Sequence, residues 1–470
     1  MTGERVTLGT KLSYGFGAIA YGIKDNGFQV FLLIFYNQVV GLPADQVGLA
    51  ILIALIVDAL IDPAVGVLSD RTDTRWGRRH PWLYGSALPI LIAWLLLWNP
   101  PVASHSVQFA WLLAVAIGVR LALSTNEVPS IALVPEMTRD YHERTSILRY
   151  RYLFGWGGGL AMLMLAYGVL LAPANNASPA LAAQGYSRYG LAGGLIMAAS
   201  VLLSALGTHR RYARRSPYPV ARHGIGETLR NMRATLSNRA FLTLMAAALF
   251  AFANQGIAFA MSNYVLTFVW LFSKAEFFTY SLALFAGVVG AFFGVTLLNV
   301  RFGKRATAAA CSLISAGLGT LPYWLKLSGV AVPHPLFLLL VGASTGFGVA
   351  VMISTGSMVA DVVEASQAET GRREEGLFAA GYFFMQKSVT GVGIFLSGVV
   401  LTLIGFPPNA VPGRVDPAVI ERLITVFPAV TVAIAAISAV LYMRFPIGRA
   451  DHEARLAKLA VASAESGGNP

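Results

Sequence analysis

The sequence predicts an all-α membrane protein of twelve transmembrane helices, arranged as two six-helix pseudo-repeats. Hydrophobic residues make up 56% of the 470 and charged residues only 12%, against about 25% charged in an ordinary soluble chain. Apolar runs long enough to cross about 30 Å of hydrocarbon recur from end to end. Lys and Arg also sort by side, with 27 of the 35 at the termini or in alternate breaks between the runs, as the positive-inside rule requires of cytoplasmic segments.

In chain order the spans are expected at roughly 12–39, 46–68, 82–99, 108–134, 150–172, 190–208, 240–272, 277–299, 305–326, 334–358, 376–404 and 420–443. Six spans, a basic stretch over 209–239 that holds eight arginines, and six further spans define bundles 1–208 and 240–444, a cytoplasmic linker 209–239 and a tail 445–470. This is the layout of two related halves about a central path. Both termini are then cytoplasmic, in a multi-pass plasma membrane protein, the inner membrane in a bacterium. No cleavable leader is expected, because Met1 to Lys11 is polar and the first apolar run is long enough to span.

The formal net charge of +12 is concentrated in these loops. It reads as a solvated surface beside anionic headgroups and not as a nucleic-acid site. Cys311 is the single cysteine, so neither a disulfide nor a cysteine metal site can be argued. Walker-type, HExxH, CxxC and nucleophile-elbow motifs are absent from the sequence, so neither an enzyme nor a cofactor is expected. Gly155, Gly157, Gly158 and Gly159 fall inside the fifth span, where close helix packing accounts for them.

With the loops set aside, the ionisable residues at depth are Lys24 and Asp25 in the first span, Asp58 and Asp62 in the second, Arg120 and Glu127 in the fourth, and Lys387 in the eleventh. Asp25 lies about 21 Å along its helix from Lys11, and Asp58 is similarly deep from the opposite side. Charges at that depth face water or a partner and mark solute or ion pathways. Asp58 and Asp62, four residues apart, stack on one helical face. Two ionised carboxylates so placed must bind a metal cation, share a proton or meet a basic side chain. Sodium suits such oxygens, Ser124 can add a hydroxyl, and Lys387 is a competing internal counter-charge. Arg120 and Glu127, seven apart on one face, could form a structural pair with no part in transport. Lys24, Phe28, Phe31 and Phe35 form one stripe of the first span, beside Asp25, Gln29 and Tyr36. A carboxylate and an amide next to aromatic rings suit a polyhydroxylated ligand, and helix packing accounts for the aromatic stripe equally well.

Several segments together resemble the glycoside, pentoside and hexuronide to cation symporters, a branch of the major facilitator superfamily. They are the opening Lys11-Leu-Ser-Tyr-Gly-Phe-Gly-Ala18 followed by Lys24-Asp25, and then Asp58-Ala-Leu-Ile-Asp62-Pro63. Gly66, Asp70, Arg71, Gly77, Arg78 and Arg79 follow in a loop that ends Arg75-Trp-Gly-Arg-Arg-His-Pro-Trp82. Further on come Leu133-Val-Pro-Glu136, the Glu143-Arg-Thr145 run leading to Arg151, Arg372-Arg-Glu-Glu-Gly376 and Gln386-Lys387.

The resemblance implies a major facilitator fold and roles position by position. Asp58, Asp62 and Ser124 would hold the coupling cation, sodium or proton. Asp25, Glu127 and Arg151 would fall at sugar contacts, with Lys24 beside them. Lys387 would face the cation site, and Arg120, which the resemblance does not cover, is a further candidate counter-charge by its own position. Asp70, Arg71, Gly77, Arg78 and Arg79 would form a gate latch between the cytoplasmic ends of the two halves, where a helix dipole also stabilises a carboxylate. The chain departs from the family's type member at Glu127, an aspartate there, at Ile131, a tryptophan there, and at Arg120, a small residue there. The cation motif is kept while the solute pocket is altered.

The expectation is therefore cation-coupled symport of a glycoside or related small organic solute, by a monomer in the bilayer and without nucleic acid. Transport of a lysophospholipid or other amphipath is the alternative, since some relatives in this branch carry lysolipids. A non-transporting receptor or scaffold comes after both.

Overall fold

The computed structural model describes residues 6–138, 140–171, 178–213, 237–370 and 375–447. Most of the expected linker, the tail beyond 447 and the Arg372 to Glu374 part of one quoted motif lie outside the described residues. Among the described residues all regular structure is helical. Lipid offers no partner for a backbone N–H or C=O, and a helix satisfies both within itself.

The first span, α1, covers 8–40 and is not uniform. It is α-helical over Leu8–Phe16 and Ile19–Asn26, then π-helical over Gly27–Phe31 and again over Phe35–Val40. Wider winding of this kind re-aims side chains and often marks functional stretches. It begins here directly after Lys24 and Asp25. Gly41 ends the helix in the left-handed conformation, with φ of 97°.

Next come α2 (Ala44–Arg71), α3 (His80–Leu97), α4 (His105–Met137), α5 (Tyr141–Leu165, extended by π-helical Ala166–Leu170) and α6 (Ala183–Tyr212). The others are α7 (Arg239–Val269), α8 (Lys274–Phe302), α9 (Lys304–Leu327), α10 (His334–Thr370), α11 (Glu375–Leu403) and α12 (Pro417–Met443). Among the described residues eleven helices are long and apolar enough to cross a membrane. With the interrupted α1 they make the twelve expected. α10 runs twelve residues past its expected end at 358, because polar residues extend a helix beyond the hydrocarbon where a hydropathy reading stops.

Contacts divide the chain into two compact units. The first takes in the described residues up to 213 together with Gly256–Leu282 and Thr390–Leu423. Inside it α1 packs on α5, α2 on α4 and α3 on α6. The α1–α5 approach depends on glycine: a Cβ on Gly22 would lie 2.0 Å from the Gly155 carbonyl oxygen, and one on Gly158 would lie 2.9 Å from Ile19. Gly157 faces open space instead, so packing explains three of the four glycines. At the far end of α1, Asn263 Nδ2 of α7 donates to the Val30 carbonyl at 2.8 Å, and Asn263 Oδ1 accepts from the Tyr167 hydroxyl at 2.7 Å. Tyr264 donates to Asn37 at 2.9 Å, and Gln38 donates to the Pro407 carbonyl at 3.0 Å.

The second unit takes in 237–255, 283–389 and 424–447. Phe241, Leu244, Phe252, Met358, Val362 and Tyr442 contribute to its apolar core. Across helices of this unit the buried Thr355 and Tyr442 hydroxyls pair at 2.6 Å. Gly287 and Gly342 allow α8 and α10 to touch, much as Gly22 and Gly155 do for α1 and α5. Lys304 meets Asp361 at 2.5 Å.

Candidate ion and solute site

α2 presents Asp58 and Asp62 one turn apart, and α4 presents Arg120, Ser124 and Glu127 at spacings of four and three. Both sets fall on single helical faces, and α2 and α4 pack together. The first layer of the site results. The Ser124 hydroxyl lies 2.6 Å from Asp58 Oδ1 and 2.7 Å from Asp62 Oδ1. Arg120 places Nη2 at 2.6 Å and Nε at 3.1 Å from Asp58 Oδ2. Asp58 is 2% exposed and Arg120 3%, while Asp62 is half-buried. Charge-assisted contacts this short are among the stronger hydrogen bonds.

The second layer begins one turn further along α4. Glu127 accepts from Lys24 Nζ of α1 at 3.1 Å and lies 3.8 Å from Arg151 Nη2 of α5. Lys24 also lies 3.4 Å from Asp25, which is about half exposed. Arg151 is buried, donates to the Ser130 hydroxyl at 3.0 Å and sits 4.6 Å from the centre of the Tyr21 ring. The Tyr21 hydroxyl donates to Asn126 at 2.6 Å. The Arg120 guanidinium lies 5.2 Å from the centre of the Phe28 ring of α1.

Among these seven charged side chains, four carboxylates face three cations. Two of the four carboxylates, Asp58 and Asp62, fall in the layer that one hydroxyl bridges. Ser124 has one proton to donate, so its hydroxyl donates to only one of the two carboxylates at a time.

Two sequence expectations change. Arg120 turns to Asp58, and Glu127 to Lys24 and Arg151. Seven residues of helix are a rise of about 10.5 Å, which delivers the two heads to different neighbours. The aromatic stripe of α1 is core and not a ligand surface: Phe28, Phe31, Phe35 and Tyr36 are each 3% exposed or less. Phe31 packs against Tyr167 and Tyr189 at 5.3 and 5.2 Å, and Phe35 against Tyr186 at 4.5 Å. Those partners are remote in sequence, so the stripe alone could not reveal them.

Sequence reasoning passed over Tyr21, Asn126 and Ser130, which are neutral and therefore silent in a search for buried charge. Lys387 is half-buried on α11 in the second unit. Ile131 is exposed.

The loop between α2 and α3 is built around Arg79, which is buried. It binds Asp70, donates to Ser69 at 2.7 Å and meets Glu136 of α4 at 3.1 Å. Arg78 lies 4.0 Å from the same Glu136 oxygen. Gly77 supplies the turn with φ of 77°, a conformation that favours glycine. Arg71 is exposed. These contacts join the ends of α2, α3 and α4 within one unit.

Twelve spans with charged side chains converging at mid-helix define a polytopic membrane transporter. The chain belongs to the family described as MFS/sugar transport protein, whose model matches residues 13–449. A protein of Synechocystis sp. named as an uncharacterized symporter is 28% identical over 96% of each chain. The isoprimeverose transporter of Lactiplantibacillus pentosus is 25% identical, covering 92% of this chain and 88% of its own. In fold, the chain is similar to a bacterial homologue of the human lysosomal transporter Spinster, solved inward-facing and unoccupied. The TM-score is 0.65, with 16% identity over 93% of this chain and 95% of that one. These are transporters, not enzymes.

Proposed function

We propose that the protein is a cation-coupled symporter of a glycoside or related sugar-like solute, driven by sodium or protons. The observation that carries this reading is the Ser124 hydroxyl joined to both Asp58 and Asp62, one turn along α4 from Glu127, which meets Lys24 of α1 and Arg151 of α5. A cation in the first layer binds between the paired carboxylates and steadies α4, which orders the Glu127 layer for the solute. Coupling of this kind is reciprocal, so solute also tightens cation binding. Asp25 and Glu127 offer acceptors to sugar hydroxyls, and Lys24 and Arg151 offer donors. On this reading both termini are cytoplasmic, the protein acts as a monomer, and the halves 1–208 and 240–444 rock about the site, with Lys387 as a further counter-charge and the Arg79 loop as the cytoplasmic latch.

Uptake by proteoliposomes of a panel of sugars and glycosides, under sodium and then proton gradients, tests this reading. Accumulation of one solute class above equilibrium under either gradient supports it. Accumulation that is unchanged when both gradients are collapsed overturns it.

One observation favours a second reading, transport of a lysophospholipid or other amphipath. A groove of about 450 Å³ lies between α3 and α4, lined mainly by apolar groups of Trp82, Pro89, Leu121 and Ala122. In the same assay, lysolipid that competes with the sugars or is itself accumulated would support that reading.

A further inference from the structure

The Asp58 layer already contains a cation. Arg120 directs two N–H groups at Asp58 Oδ2, and the other oxygen of that carboxylate is engaged by Ser124. The guanidinium is always charged, is 3% exposed and is held from behind by the Phe28 ring. A hard metal ion needs several oxygens with lone pairs converging on one point. Here a tethered positive charge stands on one oxygen of the deepest carboxylate, and a metal ion approaching Asp58 would be repelled by it at close range in a medium of low dielectric.

We propose that Arg120 takes the place of a metal cation at Asp58, so that this transporter binds its solute without sodium and Arg120 is the residue that sets its ion selectivity. The inference rests on the symport reading above and narrows its driving ion. It also accounts for the α4 spacing. Arg120 lies one turn before Ser124, so its head reaches the carboxylate that Ser124 bridges, and Asp62 on the next turn of α2 is left toward the more open side of the layer. An arginine is well suited to this place because its planar fork binds a carboxylate through two donors, which a lysine cannot reproduce.

The test uses sodium itself as the probe and needs no knowledge of the solute. Full-length protein in nanodiscs is titrated with sodium chloride against choline chloride at matched ionic strength. Radioactive sodium retention and thermal unfolding are the readouts. The wild type is expected to show no saturable sodium binding and no sodium-specific rise in Tm. Arg120→Ser, which empties the place beside Asp58, is expected to gain both, since a ligand that binds only the folded state raises its stability. Adding Asp58→Asn should remove the gain.

Saturable sodium binding by the wild type that Asp58→Asn abolishes overturns the proposal. A folded Arg120→Ser protein that stays indifferent to sodium overturns it as well. If that variant fails to fold, Arg120→Gly takes its place, and the wild-type titration decides the first point unaided. Failure of the symport reading looks different, as an absence of solute accumulation under every ion gradient. Failure of the Arg120 proposal appears as accumulation that sodium stimulates by more than about fivefold, the lower edge of ordinary site-to-site coupling.

Discussion

Arg120 and Asp58 form a buried ion pair between α4 and α2, with Nη2 and Oδ2 2.6 Å apart and both side chains 3% exposed or less. Removing one partner strands the other charge away from water, at a cost of about 3–5 kcal/mol. Asp58→Asn and Arg120→Gln are therefore each expected to lower Tm sharply. Replacing both with leucine should recover at least half of the loss, because an apolar pair strands nothing. Thermal unfolding of the four proteins in one detergent checks this, and additive losses would show that the pair is not coupled.

Ser124 is expected to govern coupling more than stability. Ser124→Ala removes the bridge between Asp58 and Asp62, whereas Ser124→Thr keeps the hydroxyl. Gradient-driven accumulation should fall about tenfold or more in the alanine variant, equivalent to about 1.4 kcal/mol, and survive in the threonine one. Asp62→Asn should likewise abolish accumulation while equilibrium exchange of solute persists. Measuring counterflow beside uptake separates the two effects.

Glu127 holds Lys24 and Arg151 at once. Its conversion to glutamine leaves two buried cations short of charge, and solute affinity should weaken by about tenfold or more. Glu127→Asp keeps the charge and shortens the reach by one methylene, so a smaller loss is expected. Equilibrium binding of a transported sugar gives the comparison directly.

The glycines of the α1–α5 contact offer an internal control. Gly22→Ala must push a methyl group into the Gly155 carbonyl, and overpacking of that kind costs about 1–3 kcal/mol. Gly157→Ala meets open space and should leave Tm unchanged or slightly higher, since alanine is the better helix former.

Arg79→Ala should release the ends of α2, α3 and α4, because Asp70, Ser69 and Glu136 all meet on that one guanidinium. Faster proteolysis of the loop containing Arg75 and Trp76 is the expected readout. Arg79→Lys should restore little, since an ammonium cannot serve three acceptors in the same fork geometry.

Much of this was legible from the sequence alone. Helices were dictated by lipid, which tolerates no unpaired backbone, and their number followed from apolar length and from the sorting of arginine and lysine. That Asp58 and Asp62 share a face, and that Ser124 and Glu127 follow Arg120 along another, is local helical geometry and needs no partner to be known. Which charge meets which was decided only in three dimensions. Arg120 crosses to Asp58, Glu127 reaches two other helices, and the phenylalanines of α1 are buried among tyrosines more than 130 residues away. Spacing along one helix constrains direction but not neighbour. The neighbour depends on which helices abut, how closely glycines let them approach, and where π-helical winding shifts the register.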